Sequence, residues 1–227
     1  MAPSGKKNEY WSVWLLLLGF CGTAVVVLVL CLAASARLPE QVGRRLTDGE
    51  AAGITARNSP LASYVYLSPN ADFPRGDGVR KITVHHMAGD LSLEGLGLAF
   101  AQRDRQASSN YAIDSQGQVA LYVEEANRAW TSSDKTNDDQ AVTIEVANDE
   151  IGGSWHVSDA AFETLVELCA DICRRNGIQE LRYTGDAEGN LTTHKMFNDG
   201  TECPGPYLEG RMEELAGAVN RRLSGGE

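Results

Sequence analysis

Three side chains of metal-binding types are the first feature of this sequence that could do chemistry: His85, His194 and Cys203. A catalytic zinc ion takes three protein ligands and keeps one open position, which two neutral imidazoles and one thiolate allow. Zinc held in this way activates water at neutral pH. If the three residues are ligands, we expect their donor atoms to converge within about 4 Å. Their spacing alone is less specific than paired Cys-x-x-Cys motifs, so three unrelated polar residues are an equal alternative.

Two strands must position the first of these histidines and a nearby carboxylate. Alternation of apolar and polar residues predicts strands over 81–86 and 141–147. Successive side chains of a strand point to opposite faces, so His85 shares a face with Thr83 and lies opposite Ile82 and Val84. Glu145 lies opposite the apolar residues of the second strand in the same way. We therefore expect His85 and Glu145 to emerge on the same open side of one sheet.

The remaining pattern alternates between helices and strands, which predicts the α/β class. We expect a central mixed β-sheet of about five strands, flanked by helices and preceded by one N-terminal transmembrane helix. Ser158-Asp159 is a helix start and Asn176-Gly177 a helix stop. The further predicted elements are helices over 91–105, 158–175 and 206–223, and strands over 110–114, 119–123 and 181–184.

The charge of the chain excludes one class of partner. The 227 residues carry 20 Lys and Arg against 31 Asp and Glu, a net charge of −11. An acidic domain of this kind repels phosphate backbones, so nucleic acid is not an expected partner. The oligomeric state is left open by the sequence.

An uncharged apolar stretch from Trp11 to Ala34 predicts a membrane segment. About 20 such residues cross a bilayer core of about 30 Å, and the preceding Lys6 and Lys7 favour a cytoplasmic N-terminus. The predicted organisation is a cytoplasmic N-terminus (1–10), a transmembrane signal-anchor (11–36), a spacer (37–60) and one globular domain (61–227). This organisation predicts a single-pass protein of the cell membrane with its domain outside. The alternative is a secreted protein whose N-terminal signal peptide is cleaved after Ala34-Ser35-Ala36.

Five motifs follow one another in order along the globular domain. They are Ile82-Thr83-Val84-His85-His86, Ser108-Ser109-Asn110-Tyr111-Ala112-Ile113-Asp114, Thr143-Ile144-Glu145, His194-Lys195-Met196-Phe197 and Thr201-Glu202-Cys203-Pro204-Gly205-Pro206. Together they resemble the type-2 N-acetylmuramoyl-L-alanine amidases, which include phage endolysins and animal peptidoglycan recognition proteins. The resemblance covers about residues 58–223. Its most specific parts are the Cys-Pro-Gly-Pro segment and the strand that ends His-His.

This resemblance implies a substrate, a metal and its ligands. The substrate is peptidoglycan, and the reaction is zinc-dependent hydrolysis of the amide bond between N-acetylmuramic acid and L-alanine. The ligands of Zn²⁺ map to His85, His194 and Cys203. His86 points to the other face of its strand and is expected to be structural.

The resemblance also implies three residues that assist catalysis. Glu145 matches a glutamate that serves as the base, and a carboxylate near an attacking water can pass its proton to the departing amine. Tyr111 matches a tyrosine near the metal, whose phenol could donate to the developing oxyanion. Thr201 occupies a place beside the scissile carbonyl. The competing interpretation of Tyr111 is a core tyrosine, and that of Glu145 is a solvated carboxylate on a strand.

One departure and three alternatives qualify this expectation. Many relatives have a histidine where this chain has Thr131, which affects substrate contacts and not the metal. The first alternative function is a module of the same fold that binds peptidoglycan without cutting it, against which Cys203 argues. The others are a zinc hydrolase for another amide and a structural zinc site, which would lack a residue such as Glu145.

Overall fold

The structure is a computed structural model that describes residues 38–225, and the described residues from Glu40 onward form one compact unit. The strands are β1 (Ala62–Val65), β2 (Ala71–Asp72), β3 (Lys81–His86), β4 (Tyr111–Ile113), β5 (Val119–Leu121), β6 (Arg128–Ala129), β7 (Ala141–Val146) and β8 (Leu191–Thr193). The α-helices are α1 (Asp48–Thr55), α2 (Leu93–Ala101), α3 (Lys135–Gln140), α4 (Asp159–Asn176), α5 (Gly205–Glu209) and α6 (Met212–Leu223). Short 3-10 turns lie at Arg103–Arg105 and His194–Met196.

A mixed sheet of six strands forms the centre, in the order β1-β5-β4-β7-β3-β8. The predicted α/β class with a central mixed sheet is confirmed, with six strands instead of about five. Strands β4, β7, β3 and β8 run parallel, and β5 turns back against β4. The strand expected over 181–184 is absent from the described residues, and β8 takes the edge of the sheet instead. The Arg182 carbonyl accepts from the N–H groups of Asn190 and Leu191, and the Arg182 N–H donates to Oδ1 of Asn190.

One face of the sheet carries the main hydrophobic core. The apolar side chains of β3 and β7 pack there under α4 and α6. Ser158 caps α4 by accepting from the Ala161 N–H, and Gly177 ends it in the left-handed conformation with φ of 69°. Cys169 and Cys173 are buried in this core as free thiols.

The opposite face is more polar and only partly covered. Helix α2 covers one side of it through Leu96 and Phe100, which pack with Tyr122. Beneath the ends of the parallel strands, the buried hydroxyls of Thr83 and Thr192 lie 2.9 Å apart. His85 at the end of β3 and Glu145 at the end of β7 both line a cleft, so the strand ends are available for a site.

The boundaries of several elements differ from the prediction. Helix α2 ends at Ala101, and the single helix expected over 206–223 is divided into α5 and α6 at Gly210. The segment expected as a spacer, 37–60, contains α1, and its Ile54 is fully buried in the main core. Most of that segment therefore packs as part of the compact unit.

The predicted membrane location is contradicted. Within residues 38–225, none of the helices combines the length and the apolar character that crossing a bilayer requires. Residues 11–36, on which the prediction depended, lie outside the residues that the structure describes. The transmembrane helix is therefore not part of the fold established here.

Candidate metal centre and active-site cleft

His85, His194 and Cys203 converge at the carboxyl end of β3. Their donor atoms all lie within 4.8 Å of one another. The Sγ atom of Cys203 is 3.5 Å from Nδ1 of His85, and the two imidazole ring centroids are 4.8 Å apart. This spread is slightly wider than the roughly 4 Å of ligands around one zinc ion, so a small inward movement would complete the coordination.

The sheet and one tight loop bring these residues together. His85 lies near the end of β3, and His194 directly follows β8, which pairs with β3 in parallel. The chain then returns, because the Lys195 N–H donates to the carbonyl of Cys203 over 3.0 Å. The backbone N–H of His86 donates to Sγ of Cys203 over 3.4 Å. Residues far apart in sequence thus meet at one end of the sheet.

The chemistry of the three side chains suits a zinc ion. Burial lowers the pKa of His85 well below its ordinary value, and burial also lowers the pKa of His194, so both imidazoles are neutral and able to bind a metal. The Nε2 atom of each ring is buried and has no hydrogen-bond partner among the described residues. Burial raises the pKa of the Cys203 thiol, and a cation must displace its proton to make the thiolate ligand.

Glu145 lies beside this centre, paired with His85 across β3 and β7. Its Oε2 atom is buried without a hydrogen-bond partner. Desolvation raises the pKa of the carboxyl from 4.5 to about 8, with Arg105 acting in the opposite direction. A carboxylate in this state is poised to exchange a proton near neutral pH, as a general acid–base group must.

A cleft of about 290 Å³ opens over these residues. Thr201 lines it, and its Oγ1 accepts a hydrogen bond from the Cys203 N–H over 3.1 Å, so the hydroxyl proton stays free to donate. Several apolar side chains also line the cleft. They are Met87, Leu91, Leu96, Phe100 and Trp130. The cleft therefore combines a metal-binding end with an apolar surface for the remainder of a substrate.

Tyr111 does not belong to this cleft, which corrects the expectation from the resemblance. It pairs with Ile144, so it faces the main core and not the side of Glu145. The side chain is fully buried, and its hydroxyl donates to Glu125 over 2.7 Å and accepts from the Ser59 N–H over 2.9 Å. These bonds make Tyr111 a structural residue.

Two further residues shape the cleft. Arg105 lines it from the 3-10 turn after α2, is exposed, and forms no ion pair with any residue in 38–225. Sequence reasoning missed Arg105, and its one signal was its position just before the Ser108–Asp114 motif. Thr131, at the place of the histidine in many relatives, also lines the cleft. Its hydroxyl donates to the Ser108 carbonyl over 2.7 Å, so it supports the wall.

Comparison with known families agrees with this site. The model of the family described as N-acetylmuramoyl-L-alanine amidase matches residues 75–206, more than half of the chain. The chain therefore belongs to the type-2 N-acetylmuramoyl-L-alanine amidase family, whose members are hydrolases. The matched region contains all three candidate metal ligands and Glu145. The comparison with curated proteins finds no match.

Solved structures share the fold at low sequence identity. PlyL is 18% identical, with a TM-score of 0.52 over 70% of this chain and 95% of PlyL. A selenomethionine derivative of AmpD is 17% identical, with a TM-score of 0.52 over 70% of this chain and 97% of AmpD. LysC of Clostridium intestinale URNW, described as an N-acetylmuramoyl-L-alanine amidase, is 16% identical, with a TM-score of 0.51 over 73% of this chain and 96% of LysC. At these identities, the likeness establishes the fold.

Proposed function

We propose that this protein is a zinc-dependent amidase that hydrolyses the bond between N-acetylmuramic acid and L-alanine in peptidoglycan. The observation that carries the proposal is the convergence of His85, His194 and Cys203 beside the buried carboxyl of Glu145, in a chain of this family. A module that only binds peptidoglycan needs neither the metal ligands nor an acid–base group. The site therefore favours an enzyme over a binding module.

Each side chain has a distinct part in this proposal. Zinc bound by the two imidazoles and the thiolate would polarise the scissile carbonyl and lower the pKa of water. Glu145 takes a proton from the attacking water and delivers it to the amide nitrogen, which leaves as the amine of L-alanine. A cation next to Glu145 favours its carboxylate form, which a base requires. Thr201 donates its free hydroxyl proton to the carbonyl oxygen as negative charge develops there.

Arg105 supplies the charge that orients the peptide part of the substrate. Its guanidinium, which forms no ion pair with any residue in 38–225, stands at the cleft near Glu145, in a protein whose net charge is −11. A peptide carboxylate can form a bidentate pair with a guanidinium in such a position. We expect Arg105→Gln to raise KM by roughly two- to fivefold, because a solvent-exposed charge pair contributes at most about 1 kcal/mol. The kcat should change little, because a contact made equally in the ground state and the transition state affects KM alone. Steady-state kinetics on a muramyl peptide with a free carboxylate, and on its amidated form, measure this difference.

Digestion of purified peptidoglycan tests the proposed reaction. Mass spectrometry of the products should find new L-alanine amino termini and intact N-acetylmuramic acid ends. Glu145→Gln should bind the wall but cut it about 10²–10⁴-fold more slowly, the usual contribution of a positioned acid–base group. Cleavage within the peptide would instead support a hydrolase for another amide. Binding without any new chain end would support the binding module.

Metal analysis tests the zinc centre separately. The purified protein should contain about one zinc ion per chain, and Cys203→Ser should lose most of it because a hydroxyl is a poor replacement for a thiolate ligand. Cys169→Ser serves as the matched control, since Cys169 is buried in the main core and not in the metal-binding group. Equal zinc content in Cys203→Ser and wild type would contradict the ligand set.

A further inference from the structure

The loop 149–156 contains a residue in an unusual backbone conformation beside the metal-binding turn. Trp155 has a φ of 56°, in the left-handed region that non-glycine residues seldom occupy. For a bulky residue this conformation is strained, and it persists only where the surroundings fix it. The contacts around Trp155 must therefore hold it in this conformation.

Hydrogen bonds fix this residue on both sides. The Trp155 N–H donates to the Gly152 carbonyl over 2.9 Å, and its own carbonyl accepts from Nδ2 of Asn148 over 2.7 Å. The carbonyl of the preceding Ser154 accepts from the N–H of Tyr207 in α5, over 3.1 Å. Helix α5 begins directly after Cys203 and Pro204. The loop is thus bonded to the segment that carries the candidate thiolate ligand.

The side chain of Trp155 continues this contact toward the metal centre. Its indole meets the ring of His86 edge-on, with centroids 5.3 Å apart and planes at 85°. Gly205 fits between the two residues: a Cβ added there would lie 3.1 Å from the His86 ring and 3.2 Å from Cβ of Trp155. Gly205 itself has a φ of 80°, so the position excludes side chains for two reasons.

His86 transmits the contact to Cys203. Its ring is held between Trp155 and Gly205, while its backbone N–H donates to Sγ of Cys203 over 3.4 Å. The direction of that N–H depends on where the His86 peptide lies. Groups that hydrogen-bond a metal ligand orient it and adjust its affinity for the metal.

We propose that Trp155 is a positioning residue for Cys203, acting through His86 and Gly205 to hold the sulfur in its metal-binding place. The inference rests on the zinc centre of the proposed function but concerns a residue that does not touch metal or substrate. It gives the 149–156 loop a role that the family assignment does not supply.

Substitutions can separate the indole ring from the backbone conformation. Trp155→Asn removes the ring and keeps a residue that tolerates the left-handed region. We expect its zinc Kd, measured by chelator competition, to rise about 10–100-fold, the usual effect of losing a group that orients a ligand. In protein loaded with Co²⁺ instead of zinc, the thiolate-to-cobalt charge-transfer band should weaken or shift. Trp155→Phe, which keeps an aromatic ring against His86, should restore most of both signals.

Controls decide between positioning and general loosening of the structure. Ile151→Ala changes the same loop at a residue that is 65% exposed, and it should leave the zinc Kd and the cobalt band unchanged. A folded Trp155→Asn with wild-type zinc Kd and cobalt band would overturn the proposal. If that variant fails to fold, Trp155→Gly decides in its place, because glycine also removes the ring and accepts a positive φ. A raised zinc Kd and a weakened cobalt band in Trp155→Gly support the proposal, and a wild-type Kd and band overturn it. Failure of the wild type to bind zinc would instead overturn the proposed function.

Discussion

Glu145 lies in the cleft in an environment that differs from that of an ordinary, solvated carboxylate. In the metal-free protein, desolvation raises its pKa from 4.5 to about 8. The folded protein therefore holds a proton that the unfolded chain releases between these two pH values. Stability falls with rising pH wherever the native state binds more protons than the unfolded state. This group thus stabilises the fold least above pH 8.

The first prediction follows from that sign. Glu145→Gln removes the titration, so metal-free Glu145→Gln should gain stability relative to metal-free wild type as pH rises from 4.5 to about 8. Urea unfolding at several pH values, with a chelator present, measures the difference. Ile151→Ala is the control, because it removes no titratable group from a side chain that is 65% exposed, so its curves should run parallel to wild type. Parallel curves for Glu145→Gln as well would show that the carboxyl is not desolvated.

Tyr111 allows a second test at the scale of one residue. Tyr111→Phe deletes the hydroxyl that joins Glu125 to the Ser59 N–H in the core. We expect the free energy of unfolding to fall by about 1–3 kcal/mol, since buried partners are left unsatisfied. The kcat should stay within about twofold of wild type, because the hydroxyl lies in the core and not in the cleft. A donor to the oxyanion would contribute about 10²-fold or more to kcat. A loss of kcat by about 10²-fold without a loss of stability would return Tyr111 to the active site.

At the scale of the elements, helix α4 ends at a glycine in the left-handed conformation. Gly177 closes it with a φ of 69°, and nothing lies within 4 Å of a Cβ added there. Gly177→Ala should therefore destabilise the protein by about 1–2 kcal/mol through backbone conformation alone. Gly49→Ala in α1 is the matched control, since its added Cβ also meets nothing within 4 Å, but its φ is not left-handed. That variant should be neutral or stabilising by up to about 1 kcal/mol. Equal losses in thermal or urea unfolding would contradict this reason.

Local patterns predicted the elements that carry the site better than the loops that complete it. Alternation located β3 and β7 and placed His85 and Glu145 on one face, because the two-residue period of a strand fixes side-chain direction. The same period places Tyr111 with Ile113 toward the core, and the resemblance led the prediction away from this reading. Edge strand β8 escaped notice, since its three residues carry too little pattern.

The geometry of the metal-binding loop was beyond sequence reasoning for a different reason. His194 approaches Cys203 because the Lys195 N–H reaches back to the Cys203 carbonyl, a contact that no local pattern encodes. The position of Arg105 in the cleft depends in the same way on where the turn after α2 meets the sheet. Such pairings depend on the assembled fold, so only residue types and order pointed to the site in advance.

At the scale of the whole molecule, the metal should be part of the stability of the fold. A ligand that binds only the native state stabilises it by about 2.7 kcal/mol at a hundredfold excess over Kd. For a unit of this size, each kcal/mol corresponds to about 2–4 °C in Tm. We therefore expect a chelator to lower Tm by about 5–10 °C, and added zinc to restore it. Calorimetry of Cys203→Ser, whose Tm should not respond to zinc, provides the control.

The position of His194, directly after the edge strand β8, has a consequence for how the sheet opens. Within residues 38–225, strand β8 pairs with β3 alone, and an edge strand of this kind is expected to fray before the strands inside it. A metal that joins His85 to His194 would fasten β3 to the end of β8, so that local opening would first require release of the metal. Amide hydrogen exchange in β8 should therefore slow markedly when zinc is added, whereas exchange in β1, the opposite edge of the sheet without a ligand, should not change. Equal slowing at both edges would mean that zinc tightens the domain as a whole, and no slowing at either would mean that the edge opens with the metal in place.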